Sequence, residues 1–358
     1  MHTSRFRNGA AALVVLASVP FTFALSAAAA GPDPSAFNGP TEPAKAPAGI
    51  KVGIVSCAAS IKGCQVQADA AAEAAKLVGW EVNMFDGKAN PKSQGSAILD
   101  ALAWGADVIV ASSIDYRTIQ LPLKEAEKAG VPVVALGQGG DTPNPLPVLK
   151  DGELAWTFAV DVDNYALGTT IGEWIIEDSG GKANIIVYTD REFDSVMTQH
   201  EGVMDALAKC EGCTVDSSEF TASQIATTLG QQVVGYLRAH PEVDYIYAPF
   251  DPSAFVMVAA IRQAGLGDRV RLVSLLGNEE NIDLIRKGDV QVATMAFDTA
   301  YSGYAAIDQI IRYLNKQPLF DPHGENVPYM VLDKTNIPES GNWRSESGYK
   351  EKFEALWK

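Results

Sequence analysis

Short β-branched runs alternate with longer amphipathic runs along nearly the whole of this chain, and no other feature restricts its fold as tightly. Ile50 to Ser56 reads as a strand, and Cys64 to Val78 as an Ala-rich helix stopped by Gly79, where a helix C-cap puts a glycine. Glu81 to Phe85, Asp107 to Ala111 and Val131 to Leu136 read as strands, with helices over Lys92 to Trp104 and Thr118 to Ala129 between them. After a Gly- and Pro-rich interruption at 137–152, Thr157 to Val160 resumes the rhythm. Helices are then expected over Tyr165 to Glu177, Ser195 to Lys209, Ser223 to Ala239, Pro252 to Ala264, Asn281 to Lys287 and Tyr301 to Asn315. The strands between them are Ala183 to Tyr188, Thr214 to Phe220, Asp244 to Tyr247, Val270 to Leu275 and Val290 to Ala296. Strands separated by helices pair in parallel, and the helices cover both faces of the sheet. The expected fold class is α/β, with two doubly wound parallel-sheet lobes. Such sheets bind ligands beyond the carboxyl ends of their strands, so the residues just after each strand become the site candidates.

The first thirty residues read as an address. Arg5 and Arg7 precede an apolar run from Ala10 to Leu25, which is shorter than the ~20 residues a spanning helix needs. It ends in Ala27-Ala28-Ala29-Ala30-Gly31, a small-residue cleavage site, so cleavage near Ala30 and a periplasmic location are expected. The first cysteine is Cys57, well inside the folded part, which argues against a lipid anchor. The stretch 31–48, rich in Pro, Ala and Gly without apolar period, reads as a disordered lead-in. Losing Arg5 and Arg7 moves the formal charge from −16 to −18, and no Lys/Arg cluster survives, so nucleic acid is not an expected partner.

Cysteines fall into two local pairs, Cys57 with Cys64 and Cys210 with Cys213. In an oxidising compartment two short disulfides are the simplest reading. Zinc needs convergent ligands, yet the pairs are far apart and, once the expected leader is removed, only His200, His240 and His323 accompany them, so no metal is expected. Free thiols, or a redox-active Cys210/Cys213 pair, are the other readings, although a redox Cys-x-x-Cys begins a helix and this one follows a helix.

The familiar catalytic and nucleotide motifs do not fit. Ser56-Cys57-Ala58-Ala59-Ser60 after the first strand is not G-x-G-x-x-G, and Gly137-Gln138-Gly139-Gly140 leads into prolines instead of a helix, so no cofactor is expected. Neither G-x-S-x-G nor H-E-x-x-H occurs, and the histidines are scarce, so an enzyme is not expected. Asp115-Tyr116-Arg117 and Asp190-Arg191-Glu192 follow strands; they read either as solvated loop charges or as polar handles for a ligand.

In order and spacing, several segments together resemble the type I periplasmic binding proteins of the ribose-binding, LacI-like sugar-binding family. These are Lys51-Val52-Gly53-Ile54-Val55, Gly105-Ala106-Asp107-Val108-Ile109-Val110, Ala129-Gly130-Val131-Pro132-Val133-Val134, Asp163-Asn164-Tyr165-Ala166-Leu167-Gly168 and His240-Pro241-Glu242-Val243-Asp244. The resemblance implies a monomeric solute-binding protein that clamps a small molecule and delivers it to an ABC permease complex in the inner membrane. It also implies a three-segment hinge, with lobe one at 49–160 plus 298–322 and lobe two at 161–297 plus 323–340. The extension 341–358, with Tyr349, Phe353, Leu356 and Trp357, reads as a short amphipathic helix on the surface.

Where the sugar-binding members carry hydrogen-bonding groups, the matching positions here are Gln138, Met197, Phe250, Leu276 and Phe297. A sugar deprived of several buried partners loses about 1 to 3 kcal/mol for each, whereas a ring with few hydroxyls gains about 25 cal/mol per Å² of buried apolar surface. The expected ligand is therefore aromatic, alicyclic or terpenoid, with a sugar or polyol as the alternative. The full candidate set adds Ser60, Tyr116, Arg117, Arg191, Asp251 and Asn278. Presentation of ligand to a chemoreceptor or sensor kinase would use the same clamp.

Overall fold

The computed structural model describes residues 31–138, 152–288 and 290–358. The expected leader, and the interruption from 139 to 151, lie outside the described residues. One sheet is built from β1 (Lys51–Ser56), β2 (Glu81–Asp86), β3 (Val108–Ser112), β4 (Val133–Leu136) and β5 (Phe158–Val160), ordered β2-β1-β3-β4-β5 and parallel throughout. The other contains β6 (Asn184–Asp190), β7 (Thr214–Phe220), β8 (Tyr245–Tyr247), β9 (Arg271–Leu276), β10 (Gln291–Phe297) and β11 (Tyr329–Asp333), ordered β11-β10-β9-β8-β6-β7. Among the described residues only β11, which the apolar pattern did not reveal, runs antiparallel.

Helices α1 (Lys62–Leu77), α2 (Pro91–Trp104) and α3 (Gln120–Ala129) cover the first sheet, and α4 (Asn164–Asp178) and α5 (Asp194–Leu207) pack together in the second lobe. The interior strands Val-Ile-Val-Ala-Ser and Val-Val-Ala-Leu are buried at every residue because helices lie on both sides. The outermost strand β7 alternates exposed polar residues, as suits a sheet edge. Two glycines bring α4 and α5 into backbone contact. A Cβ on Gly168 would lie 2.0 Å from the carbonyl oxygen of Gln199, and one on Gly202 would lie 2.3 Å from that of Tyr165.

The continuous helix expected over Ser223 to Ala239 is two helices, α6 (Ala222–Ile225) and α7 (Leu229–Ala239). Thr221 and Gln224 close a capping box that starts the first, while the Thr227 hydroxyl bonds back to the Ser223 carbonyl at 3.1 Å. Side-chain bonds of this kind compete with helix propagation. Beyond it lie α8 (Asp251–Gln263), α9 (Glu279–Lys287) and α10 (Thr299–Leu314).

The chain passes from β5 into the second lobe, returns through Asp298 to α10, and leaves again for β11. Helix α10 packs on α1 so closely that a Cβ on Gly303 would stand 2.5 Å from the backbone nitrogen of Ala71. At the first crossing Asn164 donates to Asp161 at 2.8 Å and accepts from Gln199 at 2.7 Å.

One expectation about the ends of the chain is corrected and one holds. The stretch 31–48 is not disordered: Phe37 packs edge-on against Phe353, Ala44 is fully buried, and the amides of Ala44 and Ala46 donate to the carbonyls of Leu356 and Trp357 at 2.9 and 3.2 Å. The extension forms the expected short amphipathic helix, with one face buried and Glu351, Lys352 and Ala355 exposed on the other. Helix α11 (Tyr349–Trp357) buries Tyr349, Phe353 and Trp357 against Tyr301 and Tyr304 of α10. Each segment supplies the apolar surface and backbone partners that the other lacks. Composition, read one segment at a time, does not reveal that complementarity.

Candidate functional site: the interlobe cleft

The carboxyl ends of the two sheets face each other, and side chains meet between them. In lobe one, the loop after β1 is closed by a disulfide between Cys57 and Cys64, with Cα atoms 5.6 Å apart. The second pair, Cys210 and Cys213, is likewise joined, with Cα atoms 5.4 Å apart, in the turn before β7. The Ala59 amide donates to Asp86 at 2.9 Å, which fixes the same loop to the end of β2, and leaves Ser60 exposed at its tip.

Behind that loop, Gln67 of α1 donates from Nε2 to Ser113 Oγ at 2.7 Å, Ser112 Oγ at 3.0 Å and the Leu136 carbonyl at 3.3 Å. The side chain fills the space beside Gly137, where φ is +67° and any Cβ would come within 2.4 Å of Gln67 Oε1. Glycine is therefore required where β4 turns to present Gln138. Sequence reading did not single out Gln67, because a polar residue on a helix ordinarily faces water.

Gln138 is buried, and its Oε1 accepts from the Ser195 hydroxyl of lobe two at 3.0 Å. Arg117 binds Asp115 at 2.8 Å within its own lobe and Asp194 at 2.8 Å across the cleft. Lys62 at the start of α1 pairs with Glu280 of α9, also across the cleft. Beside it, a Cβ on Gly63 would lie 3.8 Å from Cδ1 of Leu276. Leu276 itself adopts φ 129°, an unusual conformation for a branched side chain, where β9 ends.

The expected residues divide by what surrounds them. Met197 receives a 3.6 Å contact from the Thr189 hydroxyl at the end of β6. Phe250 is half-buried, with ring centroids 6.4 Å from Phe193 and 5.8 Å from Phe220. Phe297 is 8 % exposed and belongs to the core that runs through the hinge. Tyr116 is buried edge-on against Trp156, at 6.2 Å, so its ring is core. Arg191 turns to the sheet edge, where it pairs with Glu219.

Asp251 is fully buried and its carboxylate is occupied by protein donors. Oδ1 accepts from Ser274 and, at 3.0 Å, from Thr294, while Oδ2 accepts from the Asn278 amide at 2.6 Å. Burial outweighs these bonds and pushes its pKa up to about 7. The group ties β9 and β10 to the loop that carries Asn278. Asp190 ends β6, is fully buried, and is pushed up to about 6, chiefly by burial. The triplet after β6 was legible in the sequence; that Asp190, and not Arg191, is the inward member was not.

A sheet pair with this order, covered on both faces and closed end to end, is the architecture of the type I periplasmic binding proteins. The chain belongs to this family, matching the description Periplasmic binding protein domain over residues 52–318. Among curated relatives, the galactofuranose-binding protein YtfQ of Escherichia coli is 26% identical over 197 residues, which is 52% of this chain and 58% of the relative, less than two thirds of its length. The ribose import binding protein RbsB of Escherichia coli is 22% identical, with 68% of this chain and 79% of the relative aligned. A solved ABC transporter solute-binding protein from Agrobacterium vitis, bound to α-D-tagatopyranose, superposes with a TM-score of 0.69 at 18% identity, covering 81% of this chain and 97% of that one.

Proposed function

We propose that this protein is exported, loses its leader near Ala30, and works in the periplasm as a non-catalytic clamp that hands a small molecule to the permease complex of an ABC importer. The observation that carries this reading is the set of cross-cleft contacts, Gln138 with Ser195, Arg117 with Asp194 and Lys62 with Glu280. Contacts between lobes on opposite sides of a hinge are made only when the lobes close, so they supply a closed state whose population a ligand can raise.

Within that reading, the ligand is a ring compound less polar than a simple sugar. Met197, Phe250 and Leu276 line the lobe-two side, and Asp251 shapes that wall without touching the ligand. Gln138 supplies a directional contact from lobe one, and Asn278 borders the same opening. The alternative is a sugar ligand, favoured by the names of the relatives. A thermal-shift screen of sugars, polyols, aromatic acids and cyclic terpenoids separates the two, since ligand at 100 times Kd stabilises by about 2.7 kcal/mol. Stabilisation by free pentoses or hexoses alone would return the pocket to carbohydrate.

A further inference from the structure

Polar atoms left over at the strand ends constrain the ligand further. Gln138 gives its oxygen to Ser195, but its amide nitrogen, though buried, has no protein partner. At the facing strand end, Asp190 accepts from the Glu192 amide at 2.9 Å through one oxygen, while the other is buried without a partner. The Ser56 hydroxyl, where β1 ends, is buried and unpartnered as well. Buried polar groups are satisfied in working proteins, so unpartnered atoms at strand ends of both lobes mark where a ligand supplies the partners.

The charges around the opening have an uneven balance. Arg117 is shared between two carboxylates, Asp115 and Asp194. Lys62 is matched by Glu280, and Arg191 points away to Glu219. A second acid, Glu192, acts on Asp190, and its own carboxylate accepts from the Ala222 amide at 2.7 Å. Among the described residues Asp190 has no cationic partner, and one guanidinium, Arg117, serves two acids, so these residues leave excess negative charge on the polar side of the cleft.

We propose that the ligand is a ring compound bearing a protonated amine, which pairs with Asp190, and an acceptor oxygen, which takes the amide of Gln138. The apolar body lies on Phe250, Met197 and Leu276. An amine fits better than a hydroxyl because it both donates to the unpartnered oxygen and cancels charge that a hydroxyl leaves in place. This inference rests on the clamp reading above and names its substrate class.

The test is calorimetry on the full-length mature protein with matched probes: phenethylamine against 2-phenylethanol, and cyclohexylmethylamine against cyclohexylmethanol, with ribose and galactose as further arms. The amines should bind at least tenfold more tightly than their alcohols. Asp190→Asn, which keeps the bond from Glu192, should remove that preference. Asp194→Asn, tested alongside, should lower amine affinity by a smaller factor. Thermal unfolding of each variant without ligand identifies any that fails to fold. Binding of alcohols or sugars as tight as that of amines, or an amine preference that survives in Asp190→Asn, overturns the inference and leaves the clamp intact. Failure of every probe, together with no small molecule released on denaturing the purified protein, overturns both.

Discussion

The backbone amide of Trp343 donates to the carbonyl of Gly277 at 3.2 Å, directly after the strand end that carries Leu276. Trp343 is buried with Ile282, Ala296 and Leu332 in lobe two. A short distance on, Ser345 donates its amide and hydroxyl to Asp298 at the crossing, each at 2.9 Å, and α11 then buries itself in lobe one. The extension therefore makes a further crossing between lobes beside the hinge. Trp343→Ala should cost about 3 to 5 kcal/mol of lobe-two stability, the usual cost of truncating a buried aromatic. Ser345→Ala should leave the melting temperature within a few degrees while changing the open-to-closed ratio measured by small-angle scattering with and without ligand. An unchanged ratio would reduce the extension to a passive covering.

Removing the Cys57–Cys64 disulfide by Cys57→Ala/Cys64→Ala should lower stability by about 2 kcal/mol, the chain-entropy value for so short a loop. Ligand affinity should fall further than stability does, because the loop it closes borders the cleft. Chemical denaturation and calorimetry on the same variant measure the two separately.

Phe250 and Phe297 should respond differently to truncation. If Phe250 forms part of the cleft wall, as proposed, Phe250→Ala opens a half-buried ring and should weaken ligand binding by more than 1 kcal/mol with a small change in stability. Phe297→Ala removes core and should cost about 3 to 5 kcal/mol of folding, so Phe297→Leu is the informative binding variant. Equal stability losses for the two alanine variants would place Phe250 in the core as well.

Asp190 gives stability a pH dependence whose sign is fixed. Its folded-state pKa is raised to about 6 from an ordinary 3.8, so the folded protein holds the proton more tightly than the unfolded chain. The stabilising contribution is present below the ordinary value and is lost as pH rises from about 4 to about 6. Asp251, raised to about 7, acts in the same direction and extends the decline. Ligand-free protein should thus lose stability across this range, and Asp190→Asn should flatten the first part of the profile in urea titrations at stepped pH.

Gly168→Ala should be among the most damaging single-methyl additions in the molecule. A Cβ there would stand 2.0 Å from the Gln199 carbonyl oxygen, and backbone cannot move aside as a side-chain tip can. A circular-dichroism melt within two or three degrees of wild type would show that α4 and α5 can separate without penalty.

Much of this protein was determined by local pattern. Val108-Ile109-Val110 and Val133-Val134-Ala135-Leu136 read as buried parallel strands because covering both faces with helices excludes alternation, and Gly79, announced by the sequence as a helix stop, takes a left-handed conformation just after α1. The position of the cleft followed, since strand ends face the ligand in any such sheet. Tertiary structure decided which strand-end residues point inward. Arg191 and Asp190 are neighbours, yet one reaches Glu219 at the sheet edge and the other is sealed beneath the surface. Asp251 looks like a ligand handle until Ser274, Thr294 and the Asn278 amide, brought from β9, β10 and the intervening loop, occupy its oxygens. Backbone periodicity repeats within a few residues and is written locally. The partners of a buried polar atom come from segments far apart in the chain, and so do the two halves of the 31–48 and 341–358 packing. Those partners become definite only when the chain has closed on itself.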